Sequence, residues 1–209
     1  MKIKNFSLLT LTLLLIITLS FNNGNSQTNS QKYIEEIKAY QDTMNMEFAD
    51  IKKSPLNDED IVHFKKLNFY PTDSNYKFTA KFKLSMGEFP FPMKTTTSRK
   101  PMYVKYGEVT FEFKSIIYKL NVYQNLDLIK KEGYLDYLFL PFTDLTNGFE
   151  TYGGGRYIDL KIPEGDTIVI DFNKCYNPYC AYNHKYSCPI PPEDNRLELE
   201  VKAGVKKYH

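Results

Sequence analysis

The period of the apolar positions changes once along the chain. In residues 31–53, apolar residues recur at intervals of three, four and seven, which is typical of an amphipathic helix. Asn57, followed three residues later by Asp60, resembles a helix N-cap and predicts a short second helix over residues 58–66. The sequence therefore predicts one or two helices in the N-terminal part of the chain.

From Tyr76 on, apolar and polar residues alternate, as they do in strands with one buried and one solvated face. The predicted strands cover residues 76–83, 108–114, 117–123, 136–142, 156–162, 167–172 and 196–201. The second and third of these, and the fifth and sixth, are expected to pair as hairpins, and the fourth, which is continuously apolar, to lie inside the sheet. The predicted fold class is mostly β, an antiparallel barrel or sandwich of seven or more short strands.

The first 26 residues resemble a secretory signal peptide. Lys2 and Lys4 precede an apolar run over residues 8–21, and Gly24 and Ser26 place small residues before a cleavage site at Gln27. The alternative, a permanent membrane anchor, needs about 20 apolar residues, and the run is shorter. We expect a signal peptide (1–26), a helical segment (27–66) and a β-rich domain (67–209), located in the periplasm or outside the cell, with no stable membrane span after cleavage.

Composition and charge narrow the class of partner. The chain has 42% hydrophobic and 25% charged residues, which is typical of a globular domain, and its 15% aromatic share suits a sheet-rich fold. Removal of the signal peptide takes two lysines and no acid, and leaves 25 basic and 25 acidic residues. A net charge of zero argues against binding to nucleic acid or to an anionic membrane surface.

Three cysteines lie close together in the sequence, and in an exported chain they are expected to be oxidised. A Cys180–Cys188 disulfide would close a short loop, and it leaves Cys175 without an assigned role. Two alternatives are free thiols and a metal site that includes His184. The spacing of these residues differs from that of zinc sites, so we expect the disulfide and no metal or other cofactor.

Arg156 follows three consecutive glycines and begins a predicted strand. A phosphate-binding loop would need a helix after the glycines, so a tight turn is the better interpretation. The guanidinium has two alternative roles: a clamp for a ligand carboxylate or phosphate, and an ion pair inside the fold. The candidate partners for the ion pair are Asp144, Glu150, Asp159 and Asp171.

Other polar residues follow predicted strands in the same region and could line a binding site. With Arg156, the candidate ligand-binding residues are Asp144, Glu150, Asp171, Asn173, Tyr176, Asn177 and Glu193. The function expected first is a non-catalytic binding module for a small polar or anionic ligand. Two alternatives remain: a carboxylate-based hydrolase acting on envelope material or sugars, and a purely structural or interaction domain. The sequence has no recognisable catalytic motif and assigns no reaction.

Several strings in the C-terminal half carry a resemblance to a known family. They are LPFTDLTNG at 140–148, ETYGGGRY at 150–157, DFN at 171–173, YNPYCAY at 176–182 and CPIPPEDNR at 188–196, with FYPTD at 69–73 and KYGE at 105–108. Together they resemble the bacterial domain-of-unknown-function family 1684 over residues 62–208. The resemblance implies membership and no particular activity. Longer members carry an additional β-rich segment that this chain lacks, and they usually have alanine at the position of Cys175.

Overall fold

A computed structural model of the protein describes residues 8–209, with side chains from Thr28 on. The predicted signal peptide lies outside the residues with described side chains. The chain divides into two units, residues 1–40 and 41–209, and the helix α1 runs from Leu8 to Ala49. Among the residues searched, none belongs to a helix that is both long and apolar enough to cross a membrane.

The helices agree with the sequence pattern. The helix predicted over residues 31–53 is the C-terminal part of α1 and ends four residues earlier, at Ala49. The second helix, α2, spans Asp58–His63. Its N-cap is Asn57, whose side-chain oxygen accepts a hydrogen bond from the Asp60 backbone N–H at 2.7 Å, as the capping pattern predicted.

A curled half-barrel of antiparallel strands forms the centre of the second unit. The strands are β1 (Lys77–Leu84), β2 (Phe91–Pro92), β3 (Met102–Phe113), β4 (Ile116–Asn125), β5 (Tyr137–Phe142), β6 (Arg156–Lys161) and β7 (Thr167–Asp171). Their order is β6-β5-β4-β3-β1-β7, and β2 pairs with β3. The apolar strand β5 lies inside this order, between β4 and β6, as expected, whereas β2 was not predicted.

The hairpin predicted from the second and third strands is confirmed, because β3 and β4 pair from Tyr103 opposite Asn125 to Phe113 opposite Ile116, with one irregularity between Lys105 and Gly107. The hairpin predicted from the fifth and sixth is wrong. Although β6 and β7 are neighbours in the chain, β6 pairs with β5 and β7 pairs with β1, so the two form opposite edges of the sheet. Only residues 162–166 join them, a length that spans at most about 18 Å. This short link requires a curled sheet.

The strand predicted over residues 196–201 does not form. The alternation that suggested it is present, since Leu197 and Val201 are buried and Glu198 is exposed. The backbone of this segment, however, does not hydrogen-bond to a neighbouring strand along its length, and its partners are side chains and loops. One is the Arg156 guanidinium, which donates to the Val201 carbonyl at 2.8 Å. The segment is therefore irregular chain beside the end of β5, where Thr143 and Arg196 form an isolated bridge.

Candidate functional site

Arg156 is fully buried at the start of β6. Its Nη2 donates to Asp144 Oδ2 at 2.8 Å, and both side chains have no exposed surface. Nη1 donates to the carbonyl of Ala203 at 2.6 Å and to that of Val205 at 3.3 Å. The guanidinium carbon lies 5.4 Å from the centre of the Phe142 ring, which covers one face of the group. Of the guanidinium nitrogens, only Nε has no hydrogen-bond partner within the described chain.

Both oxygens of the Asp144 carboxylate also accept hydrogen bonds. Its Oδ1 accepts hydrogen bonds from the Thr146 backbone N–H at 2.9 Å and from the Thr146 hydroxyl at 2.6 Å. The Val201 backbone N–H donates to the same oxygen at 3.2 Å. A buried ion pair is tolerated when the other polar atoms of each partner are hydrogen-bonded, and apart from Arg156 Nε this pair meets that condition. Of the four acids that the sequence suggested for Arg156, Asp144 is the one that pairs with it.

The candidate residues also hold the C-terminal segment, residues 201–206. Arg156 binds three of its carbonyls, and Asn177 Nδ2 donates to a fourth, that of Lys206, at 3.0 Å. The backbone N–H of Tyr70 donates to the Gly204 carbonyl at 2.9 Å. This segment thus takes most of its hydrogen bonds from buried side chains and loops instead of from a sheet.

Asp171 and Asn173 form a second network, at the end of β7. Asp171 Oδ1 accepts the Asn173 backbone N–H at 3.0 Å and caps a 3-10 turn that begins at Phe172. The amide of Asn173 then bonds to both backbone groups of Asp73, accepting from its N–H at 2.9 Å and donating to its carbonyl at 2.8 Å. The two side chains connect β7 to the chain that enters β1.

The remaining candidates are nearer the surface. Glu150 is 44% exposed, with its oxygens 3.7 Å from Lys202 Nζ and 3.8 Å from Lys206 Nζ. The Tyr176 hydroxyl donates to Asp159 Oδ1 at 2.6 Å, and Glu193 is exposed. The structure thus places the eight candidates in several networks, most of which hold the fold together.

Asn195 is a residue that the sequence analysis missed. Its side chain is fully buried, accepts the backbone N–H of Asn121 at 2.8 Å, and donates to the carbonyls of Asn121 and Pro141 at 2.8 and 2.6 Å. It joins the edges of β4 and β5 where their ladder is short. A single asparagine in a polar, proline-rich stretch carries no sequence signal of such a role.

The predicted disulfide is not formed in the structure, where Cys175, Cys180 and Cys188 are all free and buried. The folding of the loop does bring two of them together as predicted, because the Cys180 backbone N–H donates to Cys188 Sγ at 3.1 Å. Cys175 lies elsewhere, with its thiol 3.5 Å from the Ala203 carbonyl, and burial raises its pKa to about 11. No group of three or more His, Cys, Asp or Glu side chains in the searched part of the chain could hold a metal.

A cleft of about 650 Å³ opens at one end of the half-barrel, between residues 73–78 and residues 112–114. Its apolar wall is aromatic: the rings of Tyr76 and Phe113 lie 5.3 Å apart, and those of Phe78 and Phe113 lie 5.8 Å apart. Lys114 Nζ is 5.2 Å from the centre of the Phe113 ring. None of the eight residues predicted from the sequence lines this cleft.

Charges of both signs border the same cleft. Asp73 and Glu112 supply carboxylates, and Lys77 and Lys114 supply ammonium groups. Half-buried aromatic rings beside a few polar and charged groups are the usual composition of a small-molecule site. These features make the cleft a candidate site for a small ligand.

Comparison with solved structures finds several similar folds. An uncharacterized protein of Haloarcula marismortui, solved by NMR in solution, superposes with a TM-score of 0.65 at 29% sequence identity. The match covers 86% of this chain and 96% of that one. A search of the curated proteins finds no match.

The strings that carried the resemblance are spread through both networks described above. Residues 69–73 supply the backbone that Asn173 binds, and residues 140–148 and 150–157 supply Asp144 and Arg156. The sequence profile of the family described as protein of unknown function DUF1684 matches residues 62–206. The chain belongs to that family.

Proposed function

We propose that this protein is an exported, non-catalytic binding module for a small polar ligand, and that the ligand binds in the aromatic cleft at the end of the half-barrel. The observation that carries the proposal is the cleft itself, with its wall of Tyr76, Phe78 and Phe113 and its border of charges. Aromatic rings left partly exposed beside charged groups provide contact area and orientation together.

The cleft is a better candidate than Arg156. A ligand at Arg156 would have to displace Asp144 and three backbone carbonyls from a guanidinium with no exposed surface. Breaking such a buried pair costs about 3–5 kcal/mol, which exceeds the contribution of a typical ligand contact. Lys114 is exposed, and its ammonium group is accessible to an anionic substituent without any such rearrangement.

The hydrolase alternative has less support in the geometry. Its acids were to come from the predicted cluster, and both Asp144 and Asp171 are buried and hold hydrogen bonds of the fold. Glycosidases need two carboxyl groups that both reach the scissile bond. The alternative of a structural domain is favoured by the same burial, and it differs from our proposal in predicting no ligand for the cleft.

The test is a ligand screen followed by NMR titration of the isotope-labelled protein. Small carboxylates, phosphate esters and monosaccharides would be added to the full chain, and we expect binders to shift the amide resonances of residues 73–78 and 112–114. Shifts confined to the neighbourhood of Arg156, or no binder in any of the three classes, would overturn the proposal.

A matched pair of variants tests whether the positive charge of Lys114 contributes to ligand binding. Lys114 Nζ lies 5.2 Å from the centre of the Phe113 ring, and Lys185 Nζ lies 5.2 Å from the centre of the Tyr186 ring. Lys185 does not line the cleft and therefore serves as the control. For an anionic binder, we expect Lys114→Gln to weaken affinity about tenfold and Lys185→Gln to leave it unchanged. Equal effects of both substitutions would show that the charge of Lys114 does not orient the ligand.

A further inference from the structure

Two thiols lie side by side beneath the surface of the tyrosine-rich loop. Cys180 is in the 3-10 turn Tyr179–Ala181, and Cys188 follows the loop that begins there. Their residues are 5% and 7% exposed, and the backbone N–H of Cys180 donates to Cys188 Sγ at 3.1 Å. The neighbouring Tyr179 is 46% exposed, so the pair lies close to solvent and not deep in the core.

The surroundings make the two sulfurs chemically unequal. The Cys188 thiol neighbours the sulfur of Cys180, and the Tyr152 hydroxyl lies 3.8 Å from that sulfur. These contacts lower the pKa of Cys180 to about 6, while the Cys180 sulfur raises the pKa of Cys188. The opposite directions of the two pKa shifts make Cys180 the sulfur that loses its proton first, and the remaining ionisable groups that face the pair are Tyr157 and Arg99.

We propose that Cys180 and Cys188 form a reversible dithiol–disulfide site that reacts with small-molecule disulfides, with Cys180 as the attacking sulfur. The site shares no residue with the lining of the cleft, and it does not depend on the proposed ligand. It also differs from the permanent cross-link that the sequence suggested, because the fold holds both sulfurs together in the reduced state.

The reaction has two steps, each an exchange of one S–S bond for another. The Cys180 thiolate attacks one sulfur of the small disulfide, forms a mixed disulfide, and releases the other half as a thiolate. The Cys188 sulfur then attacks Cys180 Sγ, forms the internal bond, and releases the second half, while its proton passes to a released thiolate. The protein loses two electrons, and the small disulfide is reduced to one thiol and one thiolate, which takes its proton from solvent.

Bond formation would join two parts of the surface that are separately anchored. The chain at Cys188 is held by the segment around Thr96, whose hydroxyl accepts the Cys188 backbone N–H at 3.1 Å. Beside it, Arg99 Nη2 donates to the Ser187 carbonyl at 2.7 Å. On the Cys180 side, the centres of the Tyr182 and Phe48 rings lie 4.8 Å apart, and Phe48 is near the end of α1. Oxidation would therefore tie the turn that carries Cys180 to the Thr96–Arg99 surface.

The experiment uses the full chain, reduced and freed of reductant, with oxidised glutathione as the probe. We expect two thiols to disappear per chain, two molecules of reduced glutathione to form, and peptide mapping to find Cys180 linked to Cys188. Cys175 should be alkylated only after unfolding, and dithiothreitol should restore the thiols in the folded protein. Retention of all three thiols, or a product that contains Cys175, would overturn the proposal.

Single substitutions test the order of attack. Cys188→Ser should accumulate a mixed disulfide at Cys180, because no second sulfur is present to release the glutathione. Cys180→Ser should react at Cys188 at least about tenfold more slowly, because burial still raises the pKa of the Cys188 thiol when the Cys180 sulfur is gone. Equal rates in the two variants, with both folded by circular dichroism, would exclude Cys180 as the attacking group.

The hydroxyl of Tyr152 offers a finer test. Tyr152→Phe removes one donor to the Cys180 sulfur and keeps the ring, so we expect the reaction with oxidised glutathione to slow by about threefold. Tyr134→Phe is the control, because Tyr134 is 44% exposed and its ring lies against Tyr137. The same rate in both variants would show that the hydroxyl does not assist the thiolate.

Discussion

Arg156 provides, through one side chain, the hydrogen bonds that a neighbouring strand would otherwise supply. Its guanidinium binds the carbonyls of Val201, Ala203 and Val205, three alternate residues of the C-terminal segment. A planar group with five donors can satisfy several acceptors at once, which an ammonium group cannot do in the same geometry. The residue that looked most like a ligand clamp in the sequence is therefore used to fasten the chain to itself.

Replacement of Arg156 should unfold the protein more readily. We expect Arg156→Met to lower the free energy of unfolding by about 3–5 kcal/mol, because it leaves the Asp144 carboxylate buried without its partner. Arg156→Lys should also destabilise, since one ammonium group cannot reach all four acceptors. Urea unfolding followed by circular dichroism measures both losses.

Arg196 is the control for this experiment. It pairs with Glu198 at 2.7 Å, but both side chains are more than 60% exposed. Exposed ion pairs contribute about 0–1 kcal/mol, so Arg196→Met should change the stability little. An Arg156→Lys variant as stable as the unsubstituted protein would contradict the structural role and restore the ligand-clamp interpretation.

At the scale of elements, the irregular C-terminal segment packs as closely as a strand would. Gly204 has a φ of +72°, and a Cβ built there would lie 2.4 Å from Cys175 Sγ and 2.7 Å from the Phe172 carbonyl oxygen. Glycine alone adopts such a φ without strain and also admits the close approach. The turn after β7 and the C-terminal segment touch at this point, with no room for a side chain.

Gly204→Ala should therefore be strongly destabilising, with a loss of about 3 kcal/mol from steric overlap and backbone strain together. Gly87→Ala separates the two causes, because Gly87 has a φ of +75° and no atom within 4 Å of a built Cβ. We expect it to lose about 1 kcal/mol, from strain alone. Thermal melts of both variants measure the two losses of stability. Equal losses would mean that the contact at Cys175 is not tight.

The whole molecule is rich in buried tyrosine, with 17 tyrosines and no tryptophan in the chain. Burial raises the pKa of Tyr70 and of Tyr123 from 10.0 to about 12, with a smaller contribution from the Glu150 carboxylate at Tyr70. A raised pKa in the folded state means that folding favours the protonated phenol. The stability that this supplies is present below pH 10 and is lost as the pH rises towards 12.

The protein should consequently be destabilised by alkali. We expect its urea midpoint to be constant below about pH 9 and to fall between about pH 10 and 12. Tyrosinate absorbance should show exposed tyrosines titrating first and the buried ones only as the fold is lost. In concentrated urea all tyrosines should titrate together near 10. A single transition near pH 10 in the folded protein, with no loss of stability, would show that these phenols are accessible.

Export is a property of the whole chain, and the basic start and apolar run predict it. We expect the chain, when expressed with a bacterial secretion system, to be recovered from the periplasm with its N-terminus near Gln27. Leu14→Arg should interrupt the apolar run and retain the protein in the cytoplasm. Mass spectrometry of intact chains measures both outcomes. Full-length chains beginning at Met1 in the cytoplasm would contradict the prediction.

Local interactions explain what the sequence determined by itself. The N-cap at Asn57, the alternation of β1 and the β3–β4 hairpin all depend on residues a few positions apart, and each is present as predicted. The short separation of Cys180 and Cys188 in the chain permits their proximity, and the folding of the loop brings them together. Such features need no knowledge of the rest of the chain.

Tertiary structure alone decided which partner each segment takes. The alternation of a strand does not specify which strand lies beside it. The sequence therefore predicted β6 and β7 as a hairpin, whereas in the structure they form opposite edges of one curled sheet. The alternation of residues 196–201 is present, but the backbone hydrogen bonds of this segment go to the chain after β5 and to Arg156. The cleft likewise joins residues 73–78 to the tip of β3, which are far apart in sequence. Long-range hydrogen bonding and burial select among partners that local patterns leave equivalent.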